Sequence, residues 1–149
     1  MRRLLILFIL CFSGLAGKCP EYKALYIQKE YAINHIDWQD IDLLMKKYRI
    51  YYPSIVKAQI SLETGYLKSV LCKTNKNLFG MRYAPQRETT AIGSMYDHAI
   101  YNSYEDCIRD YKTWQSLYYK GGDYYLFLQR IGYAEDKSYI NKLKSIINN

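Results

Sequence analysis

The chain has 149 residues, a formal net charge of +7, a hydrophobic half by count, and 18 Tyr among its aromatic residues. That length suits one domain and is short for two well-cored ones. The hydrophobic content excludes a disordered polyampholyte, three Pro and eight Gly exclude collagen-like or linker material, and four Cys are too few for a disulfide-framework miniprotein.

The first element reads as a leader over residues 1–17. Met1-Arg2-Arg3 is basic, Leu4 to Phe12 is an unbroken apolar run, and Ser13-Gly14-Leu15-Ala16-Gly17 is rich in small residues. Charged, apolar, small is the order of a secretory signal peptide. The apolar run is about half of the ~20 residues that a membrane span needs. Cleavage near Ala16 or Gly17 removes Arg2 and Arg3, so the +7 becomes +5 for the domain over 18–149. The expected location is outside the cytoplasm, periplasmic or extracellular.

Leu15-Ala16-Gly17-Lys18-Cys19 also resembles a lipoprotein processing site, with Lys18 intruding before the Cys. Contact with a membrane follows only if Cys19 is lipidated. The processed chain keeps Cys19, Cys72 and Cys107, an odd number, so at least one thiol is free or modified. Cys72 and Cys107 are candidates for a disulfide in an oxidising compartment. No CxxC or HxxxH spacing is present and the two His are His35 and His98, so no metal site and no cofactor is expected.

From Asp37 onward Trp38, Ile41, Leu44, Met45 and Tyr48 recur at helical spacing, and Lys46 and Lys47 suit the last turn. Pro53 opens a second helix that runs to about Glu63 and is stopped by Gly65. Thr89 to Ile92, a Gly93-Ser94 turn and Met95 to Tyr101 predict a small β-hairpin. Ser103 and Asp106 form a capping-box-like pair that starts a third helix with Tyr104, Cys107, Ile108, Tyr111 and Trp114 on its apolar stripe. Gly121-Gly122 ends it. A helical stretch from about Asp123 to Arg130 follows, and a last helix after Asp136 carries Tyr139, Ile140, Leu143, Ile146 and Ile147 on one face. The fold class is therefore mainly α with a small β-hairpin lobe, in one domain.

Glu63 is the informative residue. On a wheel of about 100° per residue, Ala58, Leu62, Ile55, Gln59, Glu63, Val56 and Ile60 share one broad arc, opposite Lys57 and Ser61. A carboxyl in an apolar sector is partly desolvated, which raises its pKa toward the range of a general acid at neutral pH. The plainer alternative is a Glu at a frayed helix end bonded to a backbone amide.

The surrounding residues carry a resemblance. Ser61-Leu62-Glu63-Thr64-Gly65-Tyr66-Leu67-Lys68-Ser69, then Asn77-Leu78-Phe79-Gly80-Met81, resembles the "LE-[ST]-G" and "NLFG" pair of the bacterial peptidoglycan glucosaminidases of glycoside hydrolase family 73. Tyr101-Asn102-Ser103-Tyr104 resembles their "Y-x-S-Y" helix start, and Gly132-Tyr133-Ala134-Glu135-Asp136-Lys137-Ser138-Tyr139 their "GYATDPxY" element. The four occur in order from about Tyr52 to Ile147.

The resemblance implies a lysozyme-like helical fold with a β-lobe beside a glycan groove. It implies cleavage of the β-1,4 bond after N-acetylglucosamine in peptidoglycan glycan strands, with Glu63 as general acid. It also implies that Tyr133, Asn77 and Phe79 shape the groove; a Tyr offers sugar both an apolar face and a hydroxyl. Phe79 reads equally as a core plug under the groove, and Asn77 as the cap of a turn.

The second carboxylate departs from the pattern. Some family members place a Glu in the hairpin soon after a Thr-Thr pair; here Ala91 follows Thr89-Thr90, and the candidates nearby are Glu88 and Asp97. Two routes stand: one of these activates water, or the substrate's own N-acetyl oxygen attacks the anomeric carbon with Tyr133 or Tyr104 orienting the acetamide. The preferred expectation is substrate assistance. The competing functions are a catalytically weak glycan-binding module, and a muramidase or lytic transglycosylase on the same type of fold. Nucleic acid is a poor partner, since the basic residues form no tract; a net positive surface suits a carboxylate-bearing cell wall.

Overall fold

The computed structural model describes residues 35–148. The expected leader over 1–17 and Cys19 lie outside the described residues. Six helices and one two-stranded sheet follow in order: α1 Trp38–Lys47, α2 Pro53–Thr64, α3 Val70–Asn75, β1 Gly93–Met95, β2 His98–Ile100, α4 Tyr104–Tyr118, α5 Tyr124–Arg130 and α6 Tyr139–Asn148. The domain is mainly α with a small hairpin lobe, as the patterning predicts. Among the described residues, no helix is long and apolar enough to cross a membrane.

Local chemistry sets the helix starts. Asp37 accepts from the Asp40 amide while Asp40 accepts from the Asp37 amide, a reciprocal box that satisfies two otherwise orphaned donors at the start of α1. Ser103 accepts from the Asp106 amide, and its hydroxyl donates to the Asp106 carboxylate, so the predicted pair opens α4. Asp123 accepts from the Leu126 amide at the start of α5. Pro53 begins α2 without a side-chain cap, and Gly65 ends it in a left-handed conformation with φ 55°.

Helix α2 is the central element. Ile55, Val56, Ala58, Gln59, Ile60, Ser61 and Thr64 are all buried, and α6 packs along it. Ser61, expected on a solvated face, is covered instead, and its hydroxyl donates back to the Lys57 carbonyl at 3.0 Å. A helix wrapped on most sides has no clear wet face for a wheel to locate.

The hairpin forms with a shifted turn. Gly93 pairs with Ile100 and Met95 with His98, so Gly93-Ser94 lies within β1 and the turn is Tyr96-Asp97. Both turn residues have positive φ, 53° and 62°, as a two-residue I′ turn requires. The sheet is tied to the rest of the domain by the Ala99 amide on the Met81 carbonyl and the Tyr101 amide on the Asn75 carbonyl.

Tyrosine builds much of the core. Tyr111 donates to Gln59 at 2.8 Å and meets the Tyr124 hydroxyl at 2.9 Å, and Gln115 donates to Tyr124 at 2.8 Å. Gln115 also bridges the Tyr51 backbone through its amide on both sides. The buried Tyr111 and Tyr124 hydroxyls therefore both have partners, which offsets the desolvation cost of burying them. Cys72 and Cys107 are buried free thiols and form no disulfide. Cys107 Sγ accepts from the Leu78 amide at 3.3 Å, and burial pushes the Cys72 thiol up to about 11.

Candidate active site

A cavity of about 630 Å³ opens beside the C-terminal end of α2. Glu63, Phe79 and Gly80 line it at the junction of α2 and the turn that follows α3. The segment from Met81 to Arg87 contributes a second part of the lining, Tyr111, Trp114 and Tyr118 of α4 a third, and the loop from Ile131 to Glu135 a fourth.

Glu63 is half-buried. Its Oε1 accepts a 2.9 Å hydrogen bond from the Tyr139 hydroxyl. Burial raises its pKa above the ordinary carboxyl value, opposed by the Tyr139 hydrogen bond and then by the charge of His98. Its Oε2 faces Gly80: a Cβ at Gly80 would lie 3.0 Å from that oxygen, and the residue has φ +63°. Glycine thus meets two demands here, a left-handed backbone and the close approach of a carboxyl.

Asn77 holds the turn that presents Gly80. Its Nδ2 donates to the Met81 and Ala99 carbonyls at 2.9 and 3.0 Å, and its Oδ1 accepts from the Phe79 and Met81 amides. The side chain is buried and spent on backbone partners, so it is the turn-capping alternative that its geometry matches. Phe79 stacks on Tyr111 with ring centroids 3.9 Å apart and is 2% exposed, the position of a plug beneath the cavity.

Tyr133 lines the cavity with its hydroxyl donating to the Phe79 carbonyl at 3.1 Å. Its ring sits edge-on to Trp114 at 5.6 Å and tilted to Tyr139 at 5.7 Å. Tyr104 is buried at the start of α4 and does not line the cavity. Burial pushes its phenol up to about 12.

Neither sequence candidate for a second carboxylate reaches the lining. Asp97 is exposed in the I′ turn, and Glu88 is exposed beyond Arg87, which donates to the Glu88 carbonyl at 2.7 Å. The shifted hairpin register is the reason for Asp97: it occupies the turn itself, with no strand position to aim it inward. Among the described residues, the acidic residues that do line the cavity are Glu63 and Glu135. Glu135 is a residue that the sequence patterning does not single out; its signal is its place in the Gly132–Tyr139 element, where the family pattern has Thr.

The remaining buried charge is structural. Arg87 forks onto Asp110 with contacts of 2.6 and 3.1 Å, and Tyr101 donates to Asp110 at 2.8 Å. Side-chain exposures of 8% for Arg87 and 1% for Asp110 make this a desolvated pair that anchors the cavity segment to α4. Among the described residues, no group of three or more His, Cys, Asp or Glu is placed to hold a metal ion.

The family described as mannosyl-glycoprotein endo-beta-N-acetylglucosaminidase matches residues 38–149. The catalytic domain of the autolysin Auto from Listeria monocytogenes is similar at 30% identity, covering 80% of this chain and 82% of that chain, with a TM-score of 0.49. No curated protein matches the chain significantly. The family match spans the whole helical domain and every residue of the cavity: the chain belongs to the mannosyl-glycoprotein endo-beta-N-acetylglucosaminidase family and is a glycoside hydrolase.

Proposed function

We propose that the protein is an exported peptidoglycan hydrolase that cleaves the β-1,4 bond after N-acetylglucosamine, with Glu63 as its general acid. Family membership supports the glucosaminidase chemistry. The observation that carries the acid role is the half-buried Glu63 carboxyl on the cavity wall, desolvated and held by Tyr139. A desolvated carboxyl holds its proton to higher pH than an exposed one and can give it to the glycosidic oxygen as the bond to C1 breaks. Aromatic rings of Trp114, Tyr118 and Tyr133 line the same cavity and suit the C–H faces of sugar rings.

Export rests on the basic, apolar, small-residue order of residues 1–17, and lipid anchoring on Cys19 alone. The substrate-assisted route expected from the sequence named two tyrosines to orient the acetamide. Tyr104 is off the cavity and the Tyr133 hydroxyl already donates to the Phe79 carbonyl, so neither offers that route a free donor.

The test is product identification on purified peptidoglycan. Reducing-end N-acetylglucosamine supports the reading. Reducing-end N-acetylmuramic acid or a 1,6-anhydro sugar would make the protein a muramidase or a lytic transglycosylase, and binding without new reducing ends would make it a glycan-binding module.

A further inference from the structure

Glu135 has the placement that the hairpin carboxylates lack. It lines the cavity together with Glu63, while Glu88 and Asp97 do not. Its own side chain is exposed and makes no hydrogen bond or ion pair among the described residues. Its lone pairs are therefore open to water or substrate.

The backbone on either side is anchored. Tyr133 is pinned by its amide on the Leu128 carbonyl, by its hydroxyl on Phe79 and by two neighbouring rings. Asp136 accepts from the Ser138 amide, the Ser138 hydroxyl and Lys142. Glu135 is thus a free carboxylate on a fixed loop, and Tyr139, a few residues on, holds Glu63. Glu63 is half-buried and Glu135 is exposed, so the two acidic residues meet the cavity in different settings.

The sequence points the same way. The chain has Ala91 where some family members place a hairpin Glu, and it has Glu135 where the "GYATDPxY" pattern has Thr.

We propose that Glu135 is the water-activating base of this glucosaminidase. A water proton passes to the Glu135 carboxylate as the water oxygen bonds to C1. The bond from C1 to the glycosidic oxygen breaks with its electron pair leaving on that oxygen, which takes the proton of Glu63. Glu63 ends as a carboxylate and Glu135 as a carboxylic acid, and exchange with solvent resets both. Such a single displacement inverts the anomeric centre, so a β-linked strand yields an α-configured reducing end.

The inference rests on the glucosaminidase reading, and the test separates the two. Full-length wild type, Glu63→Gln, Glu135→Gln and Glu135→Ala are incubated with soluble peptidoglycan strands, and the first product is read by NMR before mutarotation. Wild type should release the α-anomer. Glu135→Gln should lose kcat by about 100-fold or more with KM nearly unchanged. Azide should restore bond cleavage in Glu135→Ala, with an α-glycosyl azide as product. Glu135→Gln at near wild-type rate, or a β-configured first product, would overturn the assignment while Glu63→Gln remains inactive and the glucosaminidase reading stands. Activity lost in Glu88→Gln or Asp97→Asn and kept in Glu135→Gln would return the role to the hairpin. Wild type releasing no reducing-end N-acetylglucosamine would instead overturn the glucosaminidase reading beneath it.

Discussion

The Tyr139 hydroxyl donates a 2.9 Å hydrogen bond to Glu63 Oε1, joining the first turn of α6 to the last turn of α2. The two residues are 76 positions apart in the chain. This bond works against the larger effect of burial, favouring the charged carboxylate while desolvation favours the protonated one.

Removing that hydroxyl should therefore move the pH profile. In Tyr139→Phe the opposing hydrogen bond is gone, so the Glu63 pKa rises further. The acid stays protonated to higher pH, and the alkaline limb of the kcat profile should shift upward. A pH–rate series on peptidoglycan checks this, and a downward shift would contradict it.

The same burial has a consequence for stability. A carboxyl whose folded pKa is raised binds its proton more tightly in the folded state than in the unfolded chain. Below the ordinary carboxyl range both states are protonated and folding carries no penalty from it. As pH climbs through the raised folded value, the penalty for a buried charge appears in full. Glu63→Gln should then unfold at a higher temperature than wild type at neutral pH, with the advantage vanishing near pH 4. Thermal melts at the two pH values measure it.

Gly80 and Gly65 give a matched pair. Both have positive φ, 63° and 55°, so alanine strains the backbone at either site, by about 1–2 kcal/mol. Only at Gly80 would the new Cβ meet the Glu63 carboxyl; at Gly65 nothing lies within 4 Å. Gly80→Ala should lose kcat by about tenfold or more, since small displacements of a catalytic group are costly, whereas Gly65→Ala should lose stability and keep kcat. Equal kinetic losses would show that Gly80 matters for its backbone alone.

Asp110 accepts from both Arg87 and Tyr101 in a nearly dry setting. Asp110→Asn leaves the guanidinium without its counter-charge. A loss of about 3–5 kcal/mol in urea unfolding is expected for breaking a buried pair from one side. A loss below about 1 kcal/mol would mean that solvent reaches Arg87 more freely than its exposure indicates.

The sequence carried the long periodic elements well. α1, α2, α4, α5 and α6 all announce themselves through caps, stripes and glycine stops, because those signals lie within a few residues of each other. α3 was missed, since six residues with Ser69 as their cap offer too little periodicity to register. The sequence points to a turn at Gly93-Ser94 because Gly is the common signal for positive φ; the chain uses Tyr96 and Asp97 instead. In the site, Glu63 was legible from its place on an apolar arc and from the motif around it. Its partner Tyr139 reads as core in the sequence, and the Arg87–Asp110 pair carries no local signal, because each acts through a contact that closes only in three dimensions.

The central claim is that Glu63 supplies the proton that breaks the glycosidic bond. The direct measurement compares wild type with Glu63→Gln on purified peptidoglycan, counting new reducing ends by mass spectrometry, with thermal melts confirming that both are folded. Reducing-end N-acetylglucosamine from wild type and a loss of about 100-fold or more in the variant are expected. A folded Glu63→Gln that cleaves at the wild-type rate would contradict the claim.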